Sequence, residues 1–328
     1  MEFRTKIEKI KAKEKINYSS PVLFIGSCFA NDVGRQFLNG KMQALINPFG
    51  VLYNPISSAY ALELIMTGKL FGEKELHFFD NKYLSFYHDT SFSSTSNEKS
   101  LKKINNSISV AHRFLKSASH LFITFGTAWI YRWKENYEIV ANCHKIPAAR
   151  FSRHLLRKEE IVRQWTRIIS RLNDFNSNLN LVFTISPVRH LKDGAHGNQV
   201  SKSLIVMAVE ELVKANDHLS YFPSYEIMLD ELRDYRFYDK DMVHPSDTAI
   251  EYIWKRFMET YFTNDTSAIY DQVSKITEAT RHIITSDEKE DILRFSQSML
   301  EKIIKIRNIY PFINLDDEEN YFNKLIAD

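Results

Sequence analysis

The apolar residues of this chain fall into two spacings. Short, mainly apolar runs at 21–26, 42–46, 121–125, 179–185 and 219–225 have the length and bounding turn residues of buried strands. Between them, apolar residues three and four apart predict helices over 31–38, 57–67, 107–117, 158–172, 203–215 and 247–261. Ala59, Leu62, Ile65 and Met66 form the stripe of the second helix, with Gly68 as its stop. Ile161, Trp165, Ile168, Ile169 and Leu172 form that of the fourth, and Ser246 or Asp247 caps the sixth.

Three stretches break the alternation. Two Asn-Pro pairs and a Gly in 47–55 predict a stiff, irregular loop. The polar 78–100 segment, with Tyr83, Phe86, Tyr87 and Phe92 scattered through it, reads as a long connection with short strands. Alternating aromatic and polar residues over 129–140 predict a hairpin outside the main sheet. A partial helix is expected over 227–232. The charged tail at 263–328 has a helical pattern, with Ile292, Leu293, Phe295, Met299, Ile303 and Ile304 as its apolar stripe. Strands alternating with helices predict an α/β chain, a three-layer α/β/α sandwich on a parallel sheet with a helical C-terminal extension.

Composition narrows the function without choosing it. The 328 residues are 44% hydrophobic, enough for a substantial core. A formal charge of +2 demands neither nucleic acid nor an anionic membrane as partner, and the basic stretch from Arg150 to Arg171 reads as a solvated helix face. No run has the ~18 apolar residues of a membrane span, and residues 1–15 lack the apolar stretch of a signal peptide. Two cysteines, Cys28 and Cys143, are too few for a disulfide framework, so a reducing, cytoplasmic setting is expected. No Walker or dinucleotide glycine loop is present, and Cys28, Cys143, His144 and His244 lack the spacing of a compact zinc motif. Neither a cofactor nor a metal is therefore expected.

Candidate chemistry gathers where strands end. The first strand stops at Gly26-Ser27-Cys28, placing a thiol at the carboxyl end of a strand and the start of a helix, where N–H groups and the helix dipole stabilise an anion. Asp241-x-x-His244 in an irregular turn can set a carboxylate against Nδ1 of the imidazole and leave Nε2 as a base. Together these predict a Cys28–His244–Asp241 triad, the imidazole and helix start drawing the thiol down toward neutrality from about 8.5. His144 beside Lys145 and His190 beside Arg189 are candidates for an anionic substrate group, or for bracing loops around a cleft.

From Pro21 to about Phe262 the chain resembles the GSCFA family, a branch of the SGNH/GDSL hydrolase-like proteins. The resemblance rests on Gly26-Ser27-Cys28-Phe29-Ala30, Asn47-Pro48-Phe49-Gly50, Tyr53-Asn54-Pro55, Gly126-Thr127-Ala128-Trp129, Asn142-Cys143-His144-Lys145, Ser186-Pro187-Val188-Arg189-His190 and Asp241-Met242-Val243-His244-Pro245. It implies a flavodoxin-like sheet, a domain over 1–262 and an extension over 263–328. The superfamily's Gly-Asp-Ser block sets Cys28 on the nucleophile, while a register slipped by one residue keeps Ser27. Gly50 falls on the superfamily's oxyanion glycine. Ala128 replaces its oxyanion Asn, so Thr127, Asn47 or Asn54 are the substitute donors, and Gly126 joins the substrate-binding candidates. The activity implied is hydrolysis of an acyl ester, on an O-acylated carbohydrate or small ester, through an acyl-enzyme. An acyltransferase using a thioester donor and a non-catalytic carbohydrate-binding module are the alternatives.

Overall fold

The computed structural model describes residues 5–8, 10–281 and 289–327. Residues 1–4, Lys9, Asp328 and, in the predicted helical tail, 282–288 lie outside them. The chain runs β1 (Val22–Gly26), α1 (Cys28–Asn39), β2 (Ala44–Ile46), α2 (Pro55–Thr67), β3 (His77–Phe79), β4 (Lys82–Leu84), α3 (Asn97–Ser117) and β5 (His120–Phe125). It continues through β6 (Trp129–Trp133), β7 (Ile139–Val140), β8 (Phe151–Leu155), α4 (Lys158–Phe175), β9 (Asn180–Ile185), α5 (Gly194–Lys214), β10 (Leu219–Phe222) and the single turn α6 (Ser224–Glu226). Four helices close it: α7 (Asp247–Tyr261), α8 (Asn264–Ala279), α9 (Lys289–Ile309) and α10 (Asp316–Ala327).

Five strands form a parallel sheet in the order β10-β9-β5-β1-β2. Counted along the chain this is the doubly wound order 2-1-3-4-5, whose winding reverses between β1 and β5. The pleat sends alternate side chains of each strand to opposite faces. Leu23 and Ile25 of β1 join Leu121, Ile123, Phe125, Leu181, Phe183 and Ile185 in a core under α2, α3, α4 and α5. Val22 and Phe24 instead meet Phe122 and Val182 in a second core under α1 and α7. Ile276 of α8, Ile303 of α9 and Phe322 of α10 are buried in that same second core, so the C-terminal helices thicken one outer layer. The three-layer sandwich expected from the sequence is thus the fold. Among the described residues no helix is long and apolar enough to cross a membrane.

Three helices start three or more residues earlier than their apolar spacing predicts. In α1 the first residue is Cys28 rather than Asn31. Helix α3 begins at Asn97, inside the stretch read as connection, because the Ser96 side chain accepts a hydrogen bond from Lys99 N–H and caps it. Its buried Ile104, Ile108, Ala111 and Leu115 keep helical spacing behind a polar first turn. Helix α5 begins at Gly194 rather than Ser203, and the inward positions of its first half are Asn198, Ser201 and Lys202. The 129–140 excursion is β6 paired with β7, but β6 also pairs along its whole length with β8, making a three-stranded antiparallel sheet beside the carboxyl end of β5.

Candidate active site

The register aligns Gly26 with Thr124 and Thr124 with Thr184, so β1, β5 and β9 end at one level, at the point where the winding reverses. Gly26 makes the turn there with φ +145°, a backbone an L side chain rarely adopts, and a Cβ would lie 2.1 Å from the Thr124 carbonyl oxygen. Its N–H donates to Asn47 Oδ1 at 2.8 Å, and its carbonyl accepts from Leu52 N–H at 2.8 Å. Ser27 then occupies the N-cap of α1 in extended backbone, and Cys28 is the first helical residue.

This backbone separates the two rival nucleophiles. Ser27 is 0% exposed and its buried hydroxyl has no hydrogen-bond partner among the described residues. Cys28 is half-buried and lines a cleft of about 300 Å³, which His244 also lines. Burial raises the Cys28 thiol above its ordinary value, and Asp32, one turn along α1, adds to the rise. Pulling the other way are the N–H groups of Phe29 and Cys28 at the helix start, and Lys202. Burial outweighs them. The expectation that the helix start and imidazole would lower this thiol toward neutrality is therefore corrected: at rest it keeps its proton.

His244 reaches the cleft from an irregular turn between α6 and α7. Asp241 organises that turn: one carboxylate oxygen accepts the backbone N–H of Val243 at 2.8 Å and of His244 at 2.9 Å, while the other meets His244 Nδ1 at 2.6 Å. The His244 backbone N–H, the imidazole and the Val243 N–H together hold the Asp241 carboxyl down at about 2. Met242, between the partners, takes φ +57° to let the chain double back. With the carboxylate on Nδ1, the imidazole is assigned Nδ1–H, and Nε2 is the acceptor.

The remaining sequence candidates separate. Gly50 N–H donates to Asn47 O at 2.7 Å, and neither residue lines the cleft. Asn47 spends its side chain on Gly26 N–H and, at 2.7 Å, on Asn31 Oδ1. Both oxyanion assignments are thus corrected: their donors are committed to holding the β1 turn. Gly50 has a backbone reason of its own, since at φ +76° a Cβ would meet the Asp89 side chain at 2.1 Å. His144 is buried with Nε2 on the Ser85 carbonyl at 2.8 Å, and Lys145 is exposed; neither lines the cleft, so the anion-binding alternative does not hold for them there.

Gly126 is a packing position, because a Cβ there would sit 3.0 Å from His190 Nε2 and 3.1 Å from the Tyr53 carbonyl oxygen. The N–H groups of Gly126 and Thr127 both donate to that carbonyl, at 2.8 and 2.9 Å. Thr127, Arg189 and His190 do line the cleft. Burial first, then Lys202 and His244, lowers His190 to about 4, so the ring is neutral and not an anion's counter-charge. Arg189 Nη1 donates to Met242 O at 3.3 Å and its guanidinium lies over the Tyr238 ring, tying the β9 end to the His244 turn.

Asn54, one of the substitute donors expected from the sequence, does reach the cleft. It is 4% exposed and lines the cleft. Its Oδ1 caps α2 by accepting Ser57 N–H at 2.9 Å, with Pro55 fixing φ at the first helical position. The amide is thereby oriented, and its Nδ2 has no partner among the described residues. Ala128 cannot contribute, being fully buried with its N–H on Ser201 Oγ at 2.8 Å.

The mouth of the cleft was not foreseen. Arg153 of β8 stacks on Trp129 of β6, 4.1 Å from the ring centroid, and holds Asp193 by two 2.7 Å hydrogen bonds. Lys192 Nζ donates to Tyr131 OH at 2.6 Å. These residues come together only because β8 closes on β6, a pairing that local alternation does not announce. Lys202 of α5, 1% exposed, donates to the Ser186 carbonyl just past β9 at 2.6 Å. The described residues bring no three of His, Cys, Asp and Glu into a metal-holding group.

No curated protein matches the chain. The GSCFA family model matches residues 21–257, from the strand that precedes Cys28 through most of the helix that follows His244. The chain therefore belongs to the GSCFA family.

Proposed function

We propose that this cleft transfers acyl groups, hydrolysing an acyl ester of SGNH/GDSL type through a covalent thioester on Cys28. The observation that carries the reading is that Cys28, at the end of the first strand, lines one cleft with an imidazole braced on Nδ1 by Asp241. A protonated thiol suits general-base chemistry. His244 Nε2 removes the Sγ proton as sulfur attacks the carbonyl carbon, and Asp241 stabilises the imidazolium. Asn54 Nδ2 and the Thr127 hydroxyl are the donors on hand for the oxyanion. Ser201 Oγ accepts Ala128 N–H and lies 3.0 Å from Thr127 Oγ1, so Ser201 donating to Thr127 leaves the Thr127 O–H for the substrate. Collapse breaks the carbon–oxygen bond, and imidazolium protonates the departing alcohol. Water, giving its proton to His244, then attacks the thioester and releases the acid and the thiol.

An acyltransferase with an anionic thioester donor is the second reading. It is favoured by Arg189 and Lys192, which line the cleft and make no ion pair with a carboxylate among the described residues. The test is intact mass after exposure to p-nitrophenyl acetate. A +42 Da acetyl adduct (about the mass of one acetyl group less a proton) is expected in the unaltered protein and in S27A, and is absent in C28A. An adduct that persists in C28A, or turnover untouched by H244A, defeats the assignment. Supplying an alcohol acceptor and finding acylated alcohol in place of free acid selects the transferase.

A further inference from the structure

A second cavity, of about 320 Å³, is lined in part by Arg189, which also lines the acyl-transfer cleft. The proposed reaction makes no use of it. Its apolar side comes from the stretch that the sequence marks as a partial helix. Residues Ile227–Glu231 form a wide π turn, in which Leu232 N–H reaches back five residues to Ile227 O at 3.0 Å. Turns of this kind spread the backbone and recur at functional sites. Met228, Leu229 and Leu232 line the cavity from this segment, beside the buried Tyr225, and the rings of Tyr235 and Tyr238 add to its wall.

Most of the polar lining is already committed. Arg233 pairs with Asp230 at 3.0 Å, and Asp234 with Arg236 at 3.7 Å. Gln199 Oε1 accepts Tyr225 O–H at 2.9 Å, and Asn198 Oδ1 accepts His190 N–H at 2.8 Å. Arg189 is the exception, since no carboxylate pairs with it among the described residues. Its Nη1 donates to Met242 O at 3.3 Å, and its guanidinium carbon lies 5.6 Å from the Tyr238 ring centroid. Nε and Nη2, the adjacent donors whose geometry matches the two oxygens of a carboxylate, have no partner among the described residues. An apolar chamber with one uncompensated guanidinium is complementary to a molecule with an apolar body and one acidic head. A sugar ring fits it worse, because hydroxyls set against Met228, Leu229 and Leu232 would lose their hydrogen bonds to water without replacement.

We propose that this cavity binds an amphipathic monocarboxylate, its apolar body against Met228, Leu229 and Leu232 and its carboxylate on Nε and Nη2 of Arg189. The site borders the catalytic turn. Arg189 N–H donates to Val243 O at 3.1 Å, Asp239 N–H to His244 O at 2.8 Å, and Ser246 N–H to Phe237 O at 2.8 Å, so the segment carrying Tyr235 and Tyr238 is hydrogen-bonded to the turn that carries His244. The inference does not rest on the acyl reading.

The test is isothermal titration calorimetry of the full chain with octanoate, and with octanamide as a neutral probe of the same length. Octanoate is expected to bind saturably, and octanamide about ten-fold more weakly, because the charge-assisted pair of hydrogen bonds is lost. R189M is expected to bring octanoate down to the affinity of octanamide. L229W places an indole in the chamber at a half-buried position that does not line the cleft, and is expected to abolish octanoate binding. The proposal is overturned by the absence of saturable binding, by equal affinities for the two probes, or by octanoate affinity unchanged in L229W. The comparison of probes needs no variant. If L229W does not fold, Y235A at an exposed position takes its place: weaker octanoate binding supports the site, and unchanged binding overturns it. Failure of the acyl reading is separate: octanoate binding without any acyl adduct on Cys28 removes that reading alone, while an adduct without octanoate binding removes this one.

Discussion

The proposed reaction gives Asn54 two tasks on one amide, and substitution can separate them. Oδ1 caps α2 through Ser57 N–H, and Nδ2, on a residue that lines the cleft, has no partner among the described residues. Asn54→Ala removes both. Losing the cap costs about 1 kcal/mol, which for a chain of this size lowers Tm by roughly 2 °C. Losing an oxyanion donor costs far more of the barrier than of stability, on the order of 10²–10³ in kcat. Asn54→Ser separates the two, because a serine oxygen also caps a helix start but offers no amide at the Nδ2 position. The serine variant is therefore expected to melt within about 1 °C of the unaltered protein, on the same conversion, while losing the same 10²–10³ in turnover as the alanine variant. Initial rates on p-nitrophenyl acetate, paired with calorimetric melting, decide it. The donor role is refuted by a serine variant with full turnover, and equally by an alanine variant whose rate falls only as far as its folded fraction does.

Two other parts of the molecule give sharp expectations. The Asp241 carboxyl sits at about 2, lowered by the N–H groups and the imidazole it holds. What it contributes to stability is complete above the ordinary carboxyl value of about 3.9 and is lost as pH falls through about 2. Between pH 5 and 9 its charge is constant, so D241N, which takes the carboxylate from Nδ1, lowers turnover by about 10²–10⁴ throughout that range, and a variant that keeps full turnover contradicts the tautomer argument. On the outer layer, Lys41 after α1 meets Glu318 of α10 at 2.7 Å, the carboxylate being almost fully buried. K41M leaves that carboxylate unpaired and is expected to cost about 3–5 kcal/mol, whereas K41M/E318L recovers most of it; chemical denaturation of the two variants measures the difference, and equal losses disprove the coupling.

What the sequence conveyed, and what it withheld, follows from which side chains are buried. The five sheet strands are legible because their inward residues are apolar on both faces, and Cys28 and the Asp241–His244 pair are legible because their partners are close in sequence or fixed by the strand end. The misreadings concern buried polar groups. Asn198, Ser201 and Lys202 face inward on α5, and by hydrophobic spacing a helix lined with such residues reads as a loop. Asn47 and Gly50 carry the residue types of an oxyanion site yet hold the β1 turn, because hydrogen-bond commitments are set by tertiary pairing. The thiol was read from the helix start and the imidazole; burial, invisible in a run of letters, decided its protonation. These errors have a common source. A polar residue enters the interior only when folding supplies its partner, so the polar positions that pattern reading assigns to the surface are those most apt to surround the reacting group. In this chain the positions that broke the apolar spacing of α5 are the ones that hold the ends of β5 and β9 around Cys28.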